Sequence, residues 1–425
     1  MQALFKHVKI CDKTSPHHFQ TVDLLVENGT ISQISPNIIP PENAKIYASD
    51  REWFVSYGWC DAFVDFAEPG FEHRETLETG LTAATHGGFT AVGLLPNTQP
   101  VGDHLAQIDF IRQKTADNLV EVFPIAALTK DFKGKDLVDF FELWQKGGIK
   151  LFSDALQSIE DEGLLLRCLQ YVKMFGAGVA TQVLSKSLAL DGHINEGIMS
   201  AKLGLSGISH IAEEVQLARN IYLAAYSGTA YHAALVSTAN SVALIREAKQ
   251  KGINISASVS VYHLLWTDEK VQNFDTNYKL LPPLRTPEDT KALWEAVLDG
   301  TIDVVCSAHS PQHEDDKKTS FAEAAWGIGG IETAFSLLNT EKNLHPIIAD
   351  IAHIFSHNSR KIFQENTTPI SEGVKANLCF FDLTSTWKVE KQQLFSKAYN
   401  NPLLGETLTG KIWGVVNKGQ LQWFD

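Results

Sequence analysis

Eight strand-like apolar runs alternate with helical patterns through the middle of this chain, at residues 59–66, 89–95, 119–128, 149–154, 178–185, 230–237, 253–260 and 302–308. That alternation is the signature of a parallel sheet wrapped by helices. The clearest helical segments are 160–175, 211–227, 239–252 and 286–300, in which apolar residues recur at three- and four-residue spacing. Each ends at or just before a glycine suited to a helix C-terminus: Gly176, Gly228, Gly252 and Gly300. Eight strand–helix units over roughly 300 residues predict an α/β fold, a (β/α)8 TIM-type barrel, whose functional residues belong at the C-terminal ends of the strands. Short alternating runs flank the barrel. Residues 21–26 lead into a turn at Glu27, Asn28 and Gly29, and residues 376–381 and 413–419 repeat that style. There is no internal repeat or low-complexity tract.

A chain of 425 residues exceeds one average domain, but a large barrel with an appendage absorbs that length. Lys and Arg number 36 against 50 Asp and Glu, a net charge of -14 with no basic cluster to offset it. That balance disfavours nucleic-acid and anionic-membrane partners. The cysteines Cys11, Cys60, Cys168, Cys306 and Cys379 are odd in number and widely spaced, which fits buried thiols in a reducing compartment better than a disulfide framework. No leader pattern opens the chain, and no apolar run approaches the roughly 20 residues that span a bilayer. A cytoplasmic location is expected.

The segment from Asp61 through Phe63, Asp65 and Ala67 to Glu68, Pro69 and Gly70 is followed by Pro96, Asn97, Thr98, Gln99 and Pro100. Further on come Tyr231, His232 and Leu235 before Val236, Ser237 and Thr238. Then follow Pro282, Pro283, Leu284 and Arg285, the run from Ser307 to Gln312, and the glycine block Gly327, Gly329 and Gly330. From about residue 50 onward the chain resembles the dihydroorotases of the amidohydrolase superfamily. The resemblance implies a barrel at residues 53–365 and a small β-sandwich built by residues 1–52 and 366–425. It also implies a functional role for several positions, and there the chain departs from the family. Positions that bind metal in the family fall on Phe63, Asp65, Gln182, Leu235 and Ala308, the last also being the family's proton acceptor. Its substrate-binding Arg and Asn fall on Ala67 and Leu281. Asn97 and His309, substrate-binding positions, survive, as does Asp154.

Hydrolysis of a ring amide near neutral pH calls for a strong nucleophile, which this family obtains from zinc-bound water with a pKa lowered to about 7. Phe63, Leu235 and Ala308 offer no donor, and the Gln182 amide is a poor zinc ligand, so no catalytic residue and no resident metal are expected. Asp65 and Asp154, with His309, are the residual candidates for a single metal ion; the simpler expectation is that both carboxylates hydrogen-bond neighbouring loops. Asn97 suits its proline-flanked turn for backbone reasons alone. His73 and Arg74 read as a solvated helix start, the segment from His313 to Lys318 as an exposed loop able to cover the barrel mouth, His232 and His263 as structural, and His17 and His18 as surface residues. The resemblance implies a dihydroorotase-like, non-catalytic protein of pyrimidine biosynthesis, a structural or regulatory partner of aspartate carbamoyltransferase within an oligomer. The alternative is an active dihydroorotase or other cyclic-amide hydrolase with a rebuilt one-metal or metal-free site, zinc being the metal.

Overall fold

Eight short parallel strands follow one another around the barrel: Trp59–Val64, Phe89–Leu94, Glu121–Pro124, Leu151–Phe152, Gly178–Gln182, Ala230–Ala234, Ile255–Ser260 and Val304–Cys306. The computed structural model describes residues 2–155, 157–398 and 400–424. The first three strands form one ladder and the last five another, joined by a parallel bridge between Ala126 and Phe152. The ring closes between the eighth strand and the first, where Ser307 N–H donates to the Asp61 carboxylate at 3.0 Å and Asp65 N–H to the His309 carbonyl at 2.9 Å. Each strand falls within its apolar run, and all but the seventh, which reaches Ser260, stop short of the run's end, where the last residues turn over into the loops of the mouth.

Small buried residues line the barrel interior, among them Cys60, Ala62, Ala91, Ala180, Ala234, Val304 and Cys306, with Phe63 and Leu151 filling the remaining space. Outside, the strands pack on the apolar faces of Glu162–Lys173, Ile211–Ser227, Ala239–Gln250 and Pro287–Leu298. Local chemistry sets the helix ends. Thr286 caps the last of these with a reciprocal Thr286–Asp289 pairing and Pro287 in the first turn. Gly228, at φ 68°, ends Ile211–Ser227 in the left-handed conformation and donates its N–H to the Ala224 carbonyl. All five cysteines are free and buried.

The chain ends build one sheet from Gln2–Ile10, Thr21–Glu27, Thr30–Ser35, Lys45–Tyr47, Phe54–Tyr57, Leu378–Lys388, Thr407–Asn417 and Gln420–Trp423. Asn28 and Gly29, with φ of 51° and 77°, make the tight turn between the second and third of these strands. N- and C-terminal halves are stitched together by the pairing of Phe380 with Val55, and by Ile31 N–H on the Val374 carbonyl at 2.9 Å. They share a second core in which Phe5 stacks on Phe380 at 4.1 Å. Strand pairing carries this sheet past residue 52 to Tyr57, and the chain enters the barrel through Gly58. A Cβ there would lie 2.1 Å from both Asn377 Oδ1 and Thr90 Oγ1. The architecture is the (β/α)8 barrel with a terminal β-sandwich domain. Among the described residues no helix is long and apolar enough to cross a membrane.

Candidate functional site

At the C-terminal ends of four barrel strands a non-glycine residue adopts the left-handed conformation: Ala67 at φ 60°, Ala155 at 52°, Leu235 at 54° and Ala308 at 50°. Such backbone costs about 1–2 kcal/mol per residue and collects where a fold aims side chains at a site. Here the aimed side chains are alanine and leucine. Leu235 and Ala308, with Leu280, Leu281, Ser260, His263, Ser310, Trp326 and Gly327, enclose a cavity of about 40 Å³. Leu281 and Trp326 also pack on the apolar cluster of Leu184, Ala189, Ile208 and Ala212, closing the mouth from the outside. His263 is the one imidazole in that wall. Burial pushes its pKa down to about 4, and its ring is held by Ser260 Oγ at 2.7 Å and the Pro282 carbonyl at 3.1 Å.

Every surviving carboxylate near the strand ends is already engaged. Asp65, 1% exposed, accepts the Ala67 N–H at 2.8 Å and forms an ion pair with Arg74. Arg74 also donates to the Pro311 carbonyl at 2.8 Å. This corrects the expectation of a solvated helix start: Arg74 turns inward, and the helix Leu77–His86 begins only after Thr76, its N-cap. Asp154 accepts Leu128 N–H at 2.6 Å, Thr129 N–H at 2.9 Å and the Thr129 hydroxyl at 2.6 Å. Burial still raises its pKa. Both aspartates therefore anchor loops, and among the described residues no three of His, Cys, Asp and Glu come together to hold a metal ion. The donor set does not fit the two-metal centre of the resembled family: Phe63 lies against the His232 ring with centroids 5.2 Å apart, and the Gln182 amide reaches only the Leu281 carbonyl at 3.4 Å.

His309 does not face the mouth. Its Nε2 lies 3.6 Å from the Glu75 carboxylate, too long for a hydrogen bond but within ion-pair reach, with both side chains fully buried. Burial would raise the pKa of Glu75, but His309, Ser396 and Thr79 outweigh it and hold the carboxyl below its usual range. Glu332 takes the N–H groups of Phe395 and Ser396 at 2.8 and 3.2 Å, and burial lifts its pKa to about 7. Asn97 is half-buried and its Oδ1 has no hydrogen-bond partner.

His232 is bracketed by the hydroxyls of Ser256 and Ser258 at 2.8 and 3.0 Å, a structural histidine. Within the segment from His313, a short helix Glu314–Lys317 forms, and Lys317 turns inward onto the carbonyls of Thr276 and Ala325. His17 and His18 are half-buried rather than exposed, the second stacked on Phe19 at 4.2 Å. A cleft of about 590 Å³ lies elsewhere, lined by His86, Trp387, Phe395 and Trp423, between the terminal sheet and the barrel's outer wall. Sequence reasoning missed Arg74, Glu75 and Trp326, since charged neighbours or loop context gave no local sign that they turn inward.

Residues 55–241 match the family described as dihydro-orotase-like. A dihydroorotase of Thermoanaerobacter sp. (strain X514) is 38% identical over 410 residues, covering 95% of this chain and 93% of its own length. One from Syntrophus aciditrophicus (strain SB) is 34% identical over 424 residues and 99% of each chain. Among solved structures, the L-hydantoinase (dihydropyrimidinase) of Arthrobacter aurescens superposes with a TM-score of 0.86 at 19% identity, over 100% of this chain and 98% of its own. The D-hydantoinase of Thermus sp. does so at 0.82 and 20% identity, over 99% and 96%. At those identities the two structures speak for the fold.

Proposed function

Because the chain belongs to the dihydroorotase family, we propose that it is a member of that family without hydrolytic activity, serving pyrimidine biosynthesis as a structural or regulatory partner of aspartate carbamoyltransferase. The observation that supports this reading is the content of the barrel mouth. Ring-amide hydrolysis needs a nucleophile, a proton acceptor and room for the ring. Phe63, Leu235 and Ala308 stand where the family keeps metal ligands and its proton acceptor; Phe63 packs into the barrel interior, and the cavity that Leu235 and Ala308 help to frame holds about 40 Å³. Ligand pockets run from about 300 Å³ upward. A chain that keeps the whole scaffold but fills its mouth with hydrocarbon retains its outer surface as the means of acting, hence the partner role.

Elemental analysis of purified protein, with assays of dihydroorotate hydrolysis and of its formation from carbamoyl-aspartate, separates this reading from an active enzyme with a rebuilt site. Zinc well below stoichiometric and no turnover above background are expected. Stoichiometric zinc with turnover abolished by Asp65→Ala or Asp154→Ala would overturn the proposal. Coexpression with the carbamoyltransferase of the same source, followed by size-exclusion chromatography, tests the partner. A stable complex whose transferase activity depends on this chain is expected; separate elution with a fully active transferase removes that role.

A further inference from the structure

The cleft of about 590 Å³ between the terminal sheet and the barrel's outer wall is separate from the filled mouth, and its size is that of a site enclosing a small molecule. Rings dominate its walls. Trp387, Phe395, Trp423 and Phe424 line it, and the His86 imidazole is stacked between Phe395 and Phe424, with centroids 3.8 and 3.9 Å away. Burial lowers the pKa of His86 to about 4, so the stack is uncharged near neutral pH. Among the described residues neither His86 ring nitrogen has a hydrogen-bond partner. The Trp387 indole N–H donates to Ser336 Oγ and to the Gly410 carbonyl, both at 3.1 Å, so what this residue offers a ligand is ring surface. Phe395 is 43% exposed although it belongs to the stack.

One acid reaches these walls. Glu332 accepts the Phe395 N–H on one carboxylate oxygen at 2.8 Å and the Ser396 N–H on the other at 3.2 Å. That fork fixes the group, leaves each oxygen a further lone pair, and ties it to the segment carrying Phe395. Burial, with the Glu75 carboxylate adding to it, still pushes the pKa of Glu332 up to about 7 against the pull of His309, so the carboxylate lacks a counter-charge. Among the described residues of the lining, the other charged side chain is Lys411, and its ammonium lies over the ring of Trp413 at 4.4 Å, outside the lining. Aromatic walls with a carboxylate set in them select a cation of a particular kind. Ring faces attract positive charge, and a flat edge bearing two N–H groups matches a carboxylate as a fork. A compact ammonium would meet the carboxylate and leave the rings uncovered.

We propose that this cleft binds a small, flat organic cation of the amidine or amino-heterocycle class, its N–H edge on Glu332 and its ring against Phe395 and Trp387. The site does not depend on what the barrel mouth does. Benzamidine is the probe, titrated calorimetrically into the full chain beside its uncharged counterpart benzamide. One benzamidine per chain is expected, with benzamide at least tenfold weaker. Glu332→Gln keeps an oxygen for one backbone N–H and is expected to bring benzamidine down to the affinity of benzamide. Phe395→Ala, at an exposed position, should weaken benzamidine at least threefold with an unchanged melting temperature. Protonated Glu332 carries no charge, so wild-type affinity should fall about tenfold from pH 8 to pH 6, and Glu332→Gln should abolish that dependence. His309 and Glu75 act on Glu332 from the barrel side, and His86 and Lys411 line the cleft; a pH dependence that survives the substitution belongs to them and overturns the proposal. Equal affinity for the two probes, no binding at millimolar concentration, or wild-type affinity in both variants also overturns it. Should Glu332→Gln fail to fold, Phe395→Ala and the wild-type comparison of the two probes decide.

Discussion

At Ala308 the backbone holds φ 50° although the side chain has nothing left to aim. The conformation is imposed by its surroundings: the His309 carbonyl accepts from Asp65 and the Ser307 hydroxyl from His309 N–H. Glycine removes the cost of the left-handed residue but adds about 0.5–1 kcal/mol of unfolded-chain entropy. Ala308→Gly is therefore expected to leave stability unchanged or raise it by up to about 1 kcal/mol, read by thermal melting; a clear loss would show that the Ala308 methyl contributes packing instead. Ala308→Asp alone should fold and show no dihydroorotate turnover, because nucleophile, metal and proton acceptor act as a unit. Arg74 is the other residue of consequence. With Asp65 buried beneath it, Arg74→Leu strands a carboxylate and should cost about 2–3 kcal/mol in urea denaturation. Adding Asp65→Asn should recover most of that loss, and failure to do so would mean that Arg74 acts through packing alone.

Among the elements, the helices were the most legible. Residues 211–227 form a helix over the whole span expected from periodicity, and 160–175, 239–252 and 286–300 lose only their ends, to Glu162–Lys173, Ala239–Gln250 and Pro287–Leu298. Their stop glycines at 176, 228, 252 and 300 all have positive φ. Capping is local chemistry and survives translation from sequence to structure. Thr286→Ala, which removes one half of the reciprocal cap with Asp289, should cost about 1 kcal/mol by the same denaturation measurement, and an effect near zero would mean that Pro287 alone fixes the helix start. Strand ends were less legible. An apolar run continues into a mouth loop without any change in composition, so the run 149–154 yields only Leu151–Phe152 as strand.

For the molecule as a whole, acid should act mainly through buried histidines. Burial lowers the pKa of His232 to about 3 and that of His263 to about 4, from an ordinary value of 6.5. Unfolding lets both rings take up protons, so their stabilising contribution is complete above pH 6.5 and is lost as pH falls toward 4. The slope is at most about 1.4 kcal/mol per pH unit for each ring. Glu332 works the other way: with its pKa raised from 4.5 to about 7, its contribution is present below pH 4.5 and is lost as pH rises through 7. Burial also lowers His86 and His353 to about 4 and raises Asp61 to about 6, and four rings against these two carboxyls predict a melting temperature that falls from pH 6.5 to 4.5, with a shallower fall in His232→Asn. An unchanged slope in that variant would place the acid sensitivity elsewhere.

Periodicity determined the barrel, since a strand covered by helices must be apolar along its length and a covering helix must repeat near 3.6 residues. Motif residues determined the family, and residue types at Phe63, Leu235 and Ala308 already declared that metal donors were missing there. Tertiary structure alone decided what replaced them. Arg74 reaches back to Asp65, Trp326 and Leu281 come from distant loops to close the mouth, and His309 sinks onto Glu75. Such contacts depend on which long-range neighbours meet in space. No local spacing encodes them, whereas the alternation of strand and helix is written residue by residue.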